Sequence, residues 1–227
     1  MARSTDTHLD SHLDRYLVNG FHDPIADAQS TFRQLLKAMS EPGTLVQAAP
    51  AEAMDSLYGS TFALCQTLLD QQTSLWLSPR FCTNTILRNL HFHTGVNVVQ
   101  QPQTALFALA APTDIEQYEA FLVGNHEYPE QSCTLLLQVD RIQVNHADNH
   151  VLGDVPQDDD MTLLSLTGPG IKTKHQVALS SLSESLLSYL SAPATFPLGL
   201  DFIFVDPERF LCLSRTTNVE VISCTSQ

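Results

Sequence analysis

The chain predicts an α/β fold of three layers, with helices on the two faces of a mixed sheet. Short apolar runs of strand length alternate with segments of helical spacing along most of the 227 residues. The runs at 105–110, 133–139 and 200–205 are mostly apolar at consecutive positions rather than at every second one, the pattern of strands buried on both faces. Hydrophobic residues make up 43% and charged residues 16%, so there is enough apolar material for one core. Residues 23–227 are read as a single α/β domain, and 1–22 as an N-terminal tail or short helix.

Residues 11–17 place Leu13, Tyr16 and Leu17 at helical spacing over barely two turns. Asp23-Pro24 is a strong helix opening, with Asp as N-cap and Pro at the first helical position. Ile25, Ala28, Phe32, Leu35, Leu36 and Met39 form its inward face, and Glu41-Pro42-Gly43 ends it. A second helix is expected over 60–69, a strand over 74–77 and a third helix over 83–92. After the strand at 105–110, residues 113–121 read as a helix capped by Thr113 or Asp114. The strand at 133–139 leads to a polar stretch, 145–160, expected to be a surface hairpin or loop. A strand over 162–166 ends in Thr167-Gly168-Pro169-Gly170, and 180–190 is an amphipathic helix stopped by Pro193 and Pro197. Strands over 200–205 and 210–214 are joined by Asp206-Pro207-Glu208-Arg209, which has hairpin-turn chemistry.

Composition excludes several classes of function. The net charge is −14, whereas nucleic-acid binding needs clustered Lys and Arg. No apolar run approaches the roughly 20 residues of a membrane span, and the polar opening lacks an export signal, so a cytoplasmic protein is expected. Five widely spaced cysteines with no C-x-x-C pair read as free thiols. His91-x-His93 would diverge on a helix, and His146 and His150 lack both helical surroundings and the His-Glu-x-x-His pattern, so no metal site is expected. No nucleophile elbow, no G-x-G-x-x-G and no Walker motif is present.

The remaining chemistry concentrates in a few windows. Residues 27–43, 87–95, 165–175, 196–201 and 214–220 together hold six basic and four acidic residues, so a locally basic site is expected on an acidic body. Arg33 and Lys37, four apart, emerge on one helix face where they can meet an anion or a partner's carboxylates. Gly168 and Gly170 let backbone amides approach a phosphate group, or shape a tight packing turn. Lys172 and Lys174 point the same way if that stretch is extended. Arg215 is the leading single candidate. Its planar fork suits bidentate contact with phosphonate, phosphate or carboxylate, at a strand end of the kind where open α/β sheets hold ligands. The competing reading is an internal salt bridge with Asp201 or Glu220.

Five blocks in order carry a family resemblance: Phe32-Arg33-Gln34-Leu35-Leu36-Lys37-Ala38-Met39-Ser40-Glu41-Pro42-Gly43, Arg88-Asn89-Leu90-His91-Phe92-His93-Thr94-Gly95, Leu166-Thr167-Gly168-Pro169-Gly170-Ile171, Pro197-Leu198-Gly199-Leu200-Asp201 and Ser214-Arg215-Thr216-Thr217-Asn218-Val219-Glu220. From about Asp23 to Val221 the chain resembles the PhnH family, whose members are subunits of the bacterial carbon-phosphorus lyase core complex. The resemblance implies a fold similar to the large domain of pyridoxal phosphate-dependent transferases, without that cofactor. The chain's only lysines, Lys37, Lys172 and Lys174, lie in no recognisable cofactor setting.

It further implies a homodimer when isolated and an assembly with subunits G, I and J, and L transiently. That assembly exchanges the adenine of MgATP for a phosphonate, giving ribose 1-phosphonate 5-triphosphate, before a radical step cleaves the carbon-phosphorus bond. The chemistry belongs mainly to subunits I and J, which leaves the PhnH member to position or complete the site without a catalytic residue or cofactor of its own. The matched residues are Arg33, Lys37, Arg88, His93 and Thr94 in the first half. In the second half they are Thr167, Gly168, Gly170, Asp201, Arg215, Thr216 and Glu220. The alternative is a stand-alone phosphate- or nucleotide-binding protein or small-molecule transferase, acting through Arg215 and the Gly168 to Gly170 turn.

Overall fold

Asp23 caps the first helix as its residue type predicts, its carboxylate accepting from the Ile25 and Ala26 backbone N–H groups, and Pro24 opens the first turn. This is α1 (Pro24–Ser40) in a computed structural model that describes residues 17–144, 160–193 and 195–222. The expected short helix before residue 17, most of the 145–160 loop, and His146 and His150 lie outside the described residues. α1 is followed by β1 (Val46–Gln47), α2 (Gly59–Leu68), β2 (Ser74–Leu77), α3 (Asn84–Thr94), β3 (Asn97–Val99), β4 (Phe107–Ala110) and β5 (Thr134–Gln138). Then come β6 (Ile142–Val144), β7 (Met161–Thr167), β8 (His175–Ser180), α4 (Glu184–Ser191), β9 (Asp201–Val205), β10 (Arg209–Leu213) and β11 (Asn218–Ile222).

The strands form two sheets. Seven make a mixed sheet in the order β1-β10-β9-β5-β4-β2-β3, and four make an antiparallel sheet in the order β11-β7-β8-β6. In the larger sheet β3, β2, β4, β5 and β9 run parallel, while β10 turns back on β9 and pairs with β1. Alternation along each central strand divides the core. Leu109, Leu136, Ile203, Val205 and Cys212 face one cluster with α1, α2 and α3. Ala108, Leu135, Leu137, Phe202, Phe204 and Leu211 face a second cluster with Leu164, Leu166, Val177 and Leu179 of the smaller sheet and Leu186 of α4.

Thus the third layer is mostly sheet, not the helices that were expected. The cause lies in two segments. Residues 113–121 do not form a helix. Two single 3-10 turns stand there, Pro112–Asp114 and Tyr118–Ala120. Ile115, Tyr118 and Phe121 all point inward, a spacing of three that such turns satisfy as well as a helix does. Ser183 and Ser185 hydroxyls donate to the Pro112 and Ile115 carbonyls, which a helix would have used internally. The second segment is the start of the helix expected at 180. Residues 175–180 form β8 instead, and α4 begins only after Ser183, whose hydroxyl accepts from the Leu186 N–H.

The inward face of α1 also differs from expectation. Thr31, Leu35 and Ala38 are buried, whereas Ile25, Phe32 and Leu36 are 72%, 45% and 53% exposed. The apolar arc of this helix is wider than the surface that the rest of the chain covers.

Candidate functional site

Three of the sequence blocks meet at one corner, where α1 ends and the β7–β8 and β10–β11 turns come together. The Gly43 N–H donates to the Cys212 carbonyl at 3.1 Å, fastening the chain after α1 against the end of β10. His175 Nδ1 donates to the Pro42 carbonyl at 3.1 Å, bringing β8 to the same place. Gly170 explains itself by contact. It has φ +81°, and a Cβ there would lie 2.0 Å from the Ser40 carbonyl oxygen. Gly168, at φ +131°, packs closely on the Thr216 carbonyl, at 2.9 Å from an added Cβ. Both glycines therefore serve close backbone packing. Thr167 pairs in register with Asn218, and Glu220 forms an exposed ion pair with Lys174 at 3.5 Å.

The next residues lead into a cleft. Register between β9 and β10 sets Leu213 opposite Phe202, which brings the 214–217 turn beside Asp201. Asp201 is buried and its carboxylate takes the Arg215 backbone N–H at 2.8 Å, the guanidinium Nε at 3.3 Å, and a second guanidinium nitrogen through its other oxygen. The remaining terminal nitrogen donates to the Pro129 carbonyl at 2.6 Å. Arg215 is thus committed within the chain, the salt-bridge reading with Asp201 as partner. Thr216 is likewise occupied locally, 2.9 Å from the Ser214 hydroxyl.

Behind this pair lies a cleft of about 240 Å³, walled by Tyr189, Leu198, Phe202, Leu213 and Val219 with Thr217 among them. The Tyr189 and Phe202 rings meet edge to face with centroids 5.8 Å apart. Burial pushes the Tyr189 hydroxyl above its ordinary range, and the Glu119 and Asp201 carboxylates push in the same direction while Arg215 opposes them.

This corner does not lie at the carboxyl ends of the parallel strands. β10 runs against β9, so its C-terminal end, and Arg215 after it, sits at the amino ends of β5 and β9. The carboxyl ends carry other groups. The parallel strands lie in the spatial order β3-β2-β4-β5-β9, so the order reverses between β2 and β4. There the Ser78 hydroxyl donates to Asp114 at 2.7 Å, and Arg80 lies 3.4 Å from the other carboxylate oxygen. These residues escaped the sequence reading. The signal available for them was Ser-Pro and Ala-Pro directly after two apolar strands.

The other candidates lie apart. Arg33 and Lys37 are exposed along α1, with Lys37 paired to Glu41 at 3.0 Å. Arg88 and His91 are at the surface of α3, while His93 turns inward, its Nε2 donating to the Val18 carbonyl at 3.1 Å. Thr94 donates to Leu90 within the helix. His93 and Thr94 thus fasten segment 17–21 and the end of α3. Among the described residues no group of three or more His, Cys, Asp or Glu is placed to hold a metal ion, and no helix is long and apolar enough to cross a membrane.

A family model described as "Bacterial phosphonate metabolism protein (PhnH)" matches residues 19–220. The chain is 32% identical over 205 residues to "Alpha-D-ribose 1-methylphosphonate 5-triphosphate synthase subunit PhnH" of Rhizobium meliloti (strain 1021), covering 88% of this chain and 94% of the relative. It is 28% identical over 194 residues to a Stutzerimonas stutzeri protein provisionally named C-P lyase subunit protein HtxG, covering 85% of this chain and 86% of that one.

Proposed function

The chain belongs to the family of bacterial phosphonate metabolism proteins (PhnH), and from that premise we propose that it acts as a subunit of the carbon-phosphorus lyase machinery that forms ribose 1-phosphonate 5-triphosphate. The observation that carries this reading is the family match over residues 19–220, which takes in every block brought to the corner. Its partners are then subunits G, I and J, with L joining for the step that consumes MgATP, and it works in the cytoplasm. Its share is to hold and complete the site, with the catalytic groups on other subunits and no pyridoxal phosphate. The transferase-like fold and the isolated homodimer belong to the same reading, as does one domain over 23–227.

Two features support a role in assembly. Arg215 is spent on Asp201 and Pro129, and Gly168 and Gly170 on backbone contacts, so these blocks shape a surface rather than hold reactive groups. Along the helix that leads into that corner, α1 exposes Ile25, Phe32 and Leu36 next to Arg33 and Lys37. Such a face suits another subunit with an apolar strip bordered by carboxylates. The matched residues Arg33, Lys37, Arg88, Thr167 and Glu220 are assigned to subunit contact on this reading.

Reconstitution tests it. The host's G, I and L subunits with MgATP and methylphosphonate should give the triphosphate product by 31P NMR when this chain is present. Equal product without the chain would remove it from the reaction.

A further inference from the structure

We infer that the cleft beside Arg215 is a site for an uncharged planar ring bearing an amino donor, of which adenine is the form carried by a nucleotide substrate. The inference rests on the proposed function for the choice of adenine. The cleft chemistry is independent of it.

Four observations carry it. First, the cleft has lost its one guanidinium to Asp201 and to the Pro129 carbonyl, so the cation at its wall is already neutralised. An isolated phosphonate or phosphate would find no unspent positive charge there, and a neutral group would lose nothing by entering. Second, the walls are aromatic and aliphatic: Tyr189 and Phe202 stand edge to face, with Leu198 alongside. Such surfaces favour a flat ring. Third, the polar groups on the lining are of the kind a heterocycle uses. The Ser214 hydroxyl is bonded to those of Thr216 and Thr217 at 2.9 and 3.1 Å, so two of the three protons are used within the trio and one is left to donate to a ring nitrogen, while the Glu119 carboxylate on the lining can accept from an exocyclic amine. Fourth, size limits the occupant. At about 240 Å³ the cleft falls below the roughly 300–1,000 Å³ of sites that enclose a drug-sized ligand, so it takes a ring and leaves the remainder outside.

What lies outside fits the remainder of a nucleotide. Thr217 is cleft wall, and the carbonyl of its neighbour Thr216 packs on Gly168, so the β7–β8 turn begins where the cleft ends. That turn carries Lys172 and Lys174, both exposed. Lys174 makes a surface pair with Glu220, worth little in water. A ring in the cleft thus leaves its phosphates next to the most lysine-rich turn of an acidic chain.

The test uses the full-length chain with adenosine, inosine and 5′-AMP, read by calorimetry and saturation-transfer NMR. Adenosine should bind saturably and more tightly than inosine, which lacks the amine. Ala192→Trp, at an exposed cleft position where the fold tolerates a large side chain, should weaken adenosine at least tenfold, and Glu119→Gln should abolish the preference over inosine. AMP should bind more tightly than adenosine, and the double variant Lys172→Ala, Lys174→Ala should lose only that gain. Absence of saturable adenosine binding by the wild-type chain, alone and in the assembled complex, overturns the site. So does adenosine binding that Ala192→Trp leaves unchanged. If Ala192→Trp blocks subunit assembly while adenosine does not bind, the cleft receives protein and the inference fails. Assembly without adenosine binding sinks this inference alone. Binding without assembly sinks the subunit reading and leaves the cleft.

Discussion

Asp201 and Arg215 show how a residue's role changes once its partner is known. The sequence leaves Arg215 between an anion-binding fork and an internal salt bridge with Asp201 or Glu220, and the partner is Asp201: both groups are nearly enclosed, with side chains 12% and 16% exposed, and each is the other's counter-charge. Removing one leaves the other buried and unpaired, which costs about 3–5 kcal/mol. Arg215→Ala should therefore lower the unfolding free energy in urea by that amount, and Asp201→Asn should do the same in part. Full stability in Arg215→Ala would return the guanidinium to the list of ligand groups.

The thiols make a second prediction at this scale. Burial pushes Cys65 up to about 12, and Cys133 and Cys212 also rise by burial, so the folded state holds their protons more tightly than the unfolded chain does. The sign follows: this contribution is complete below the unfolded value near 9 and is lost as pH climbs toward 12. Urea midpoints should be level to about pH 8 and fall above about pH 9. A midpoint unchanged at pH 11 would contradict it. Cys82, the exposed thiol among the described residues, should react with Ellman's reagent in the native protein while these three do not.

Among the elements, α1 was the most legible and also the most misleading. Its cap, its first proline and its end follow from local chemistry, and Asp23→Ala should cost about 1 kcal/mol in thermal or chemical unfolding. Which part of its apolar arc is buried depends on where α2 and β10 pack, and periodicity cannot supply that. On the assembly reading, Phe32→Glu together with Leu36→Glu should leave the unfolding midpoint nearly unchanged, since both are exposed, and should reduce partner recovery severalfold. Undiminished recovery would clear this face of any role in assembly. The β7–β8 turn behaves oppositely: Gly170→Ala should cost more than about 1 kcal/mol through its left-handed backbone and its contact with Ser40, whatever the ligands present. Strands β4, β5, β9 and β10 were readable because burial on both faces leaves nearly continuous apolar runs, and β2 because Leu75, Trp76 and Leu77 stand together between polar turns. β1 and β3 were not, having two and three residues with no period to detect. Residues 218–222 carry a polar motif in sequence and prove to be an edge strand of the smaller sheet.

For the whole molecule, the interleaving of strands and helices established the α/β class, but the number of sheets is a matter of distant pairing. β7 is readable as a strand, but its place in a second sheet is set by its pairing with β8 and with the distant β11, and those two strands carry polar residues that weaken their signal. Half of the candidate site was legible in the same sense. The blocks around Gly43, Gly170 and Arg215 do assemble at one corner, while Arg88, His93 and Thr94 belong to α3. The cleft was not legible, because its walls come from α4, β9, β10 and β11 and meet only through tertiary packing. The molecule's role rests on the company it keeps. The direct measurement is to tag this chain, express it with its host's candidate G, I and J subunits, and identify what elutes by native mass spectrometry. The account predicts one stable assembly that contains all four chains. Elution of this chain alone, or only with itself, would contradict it.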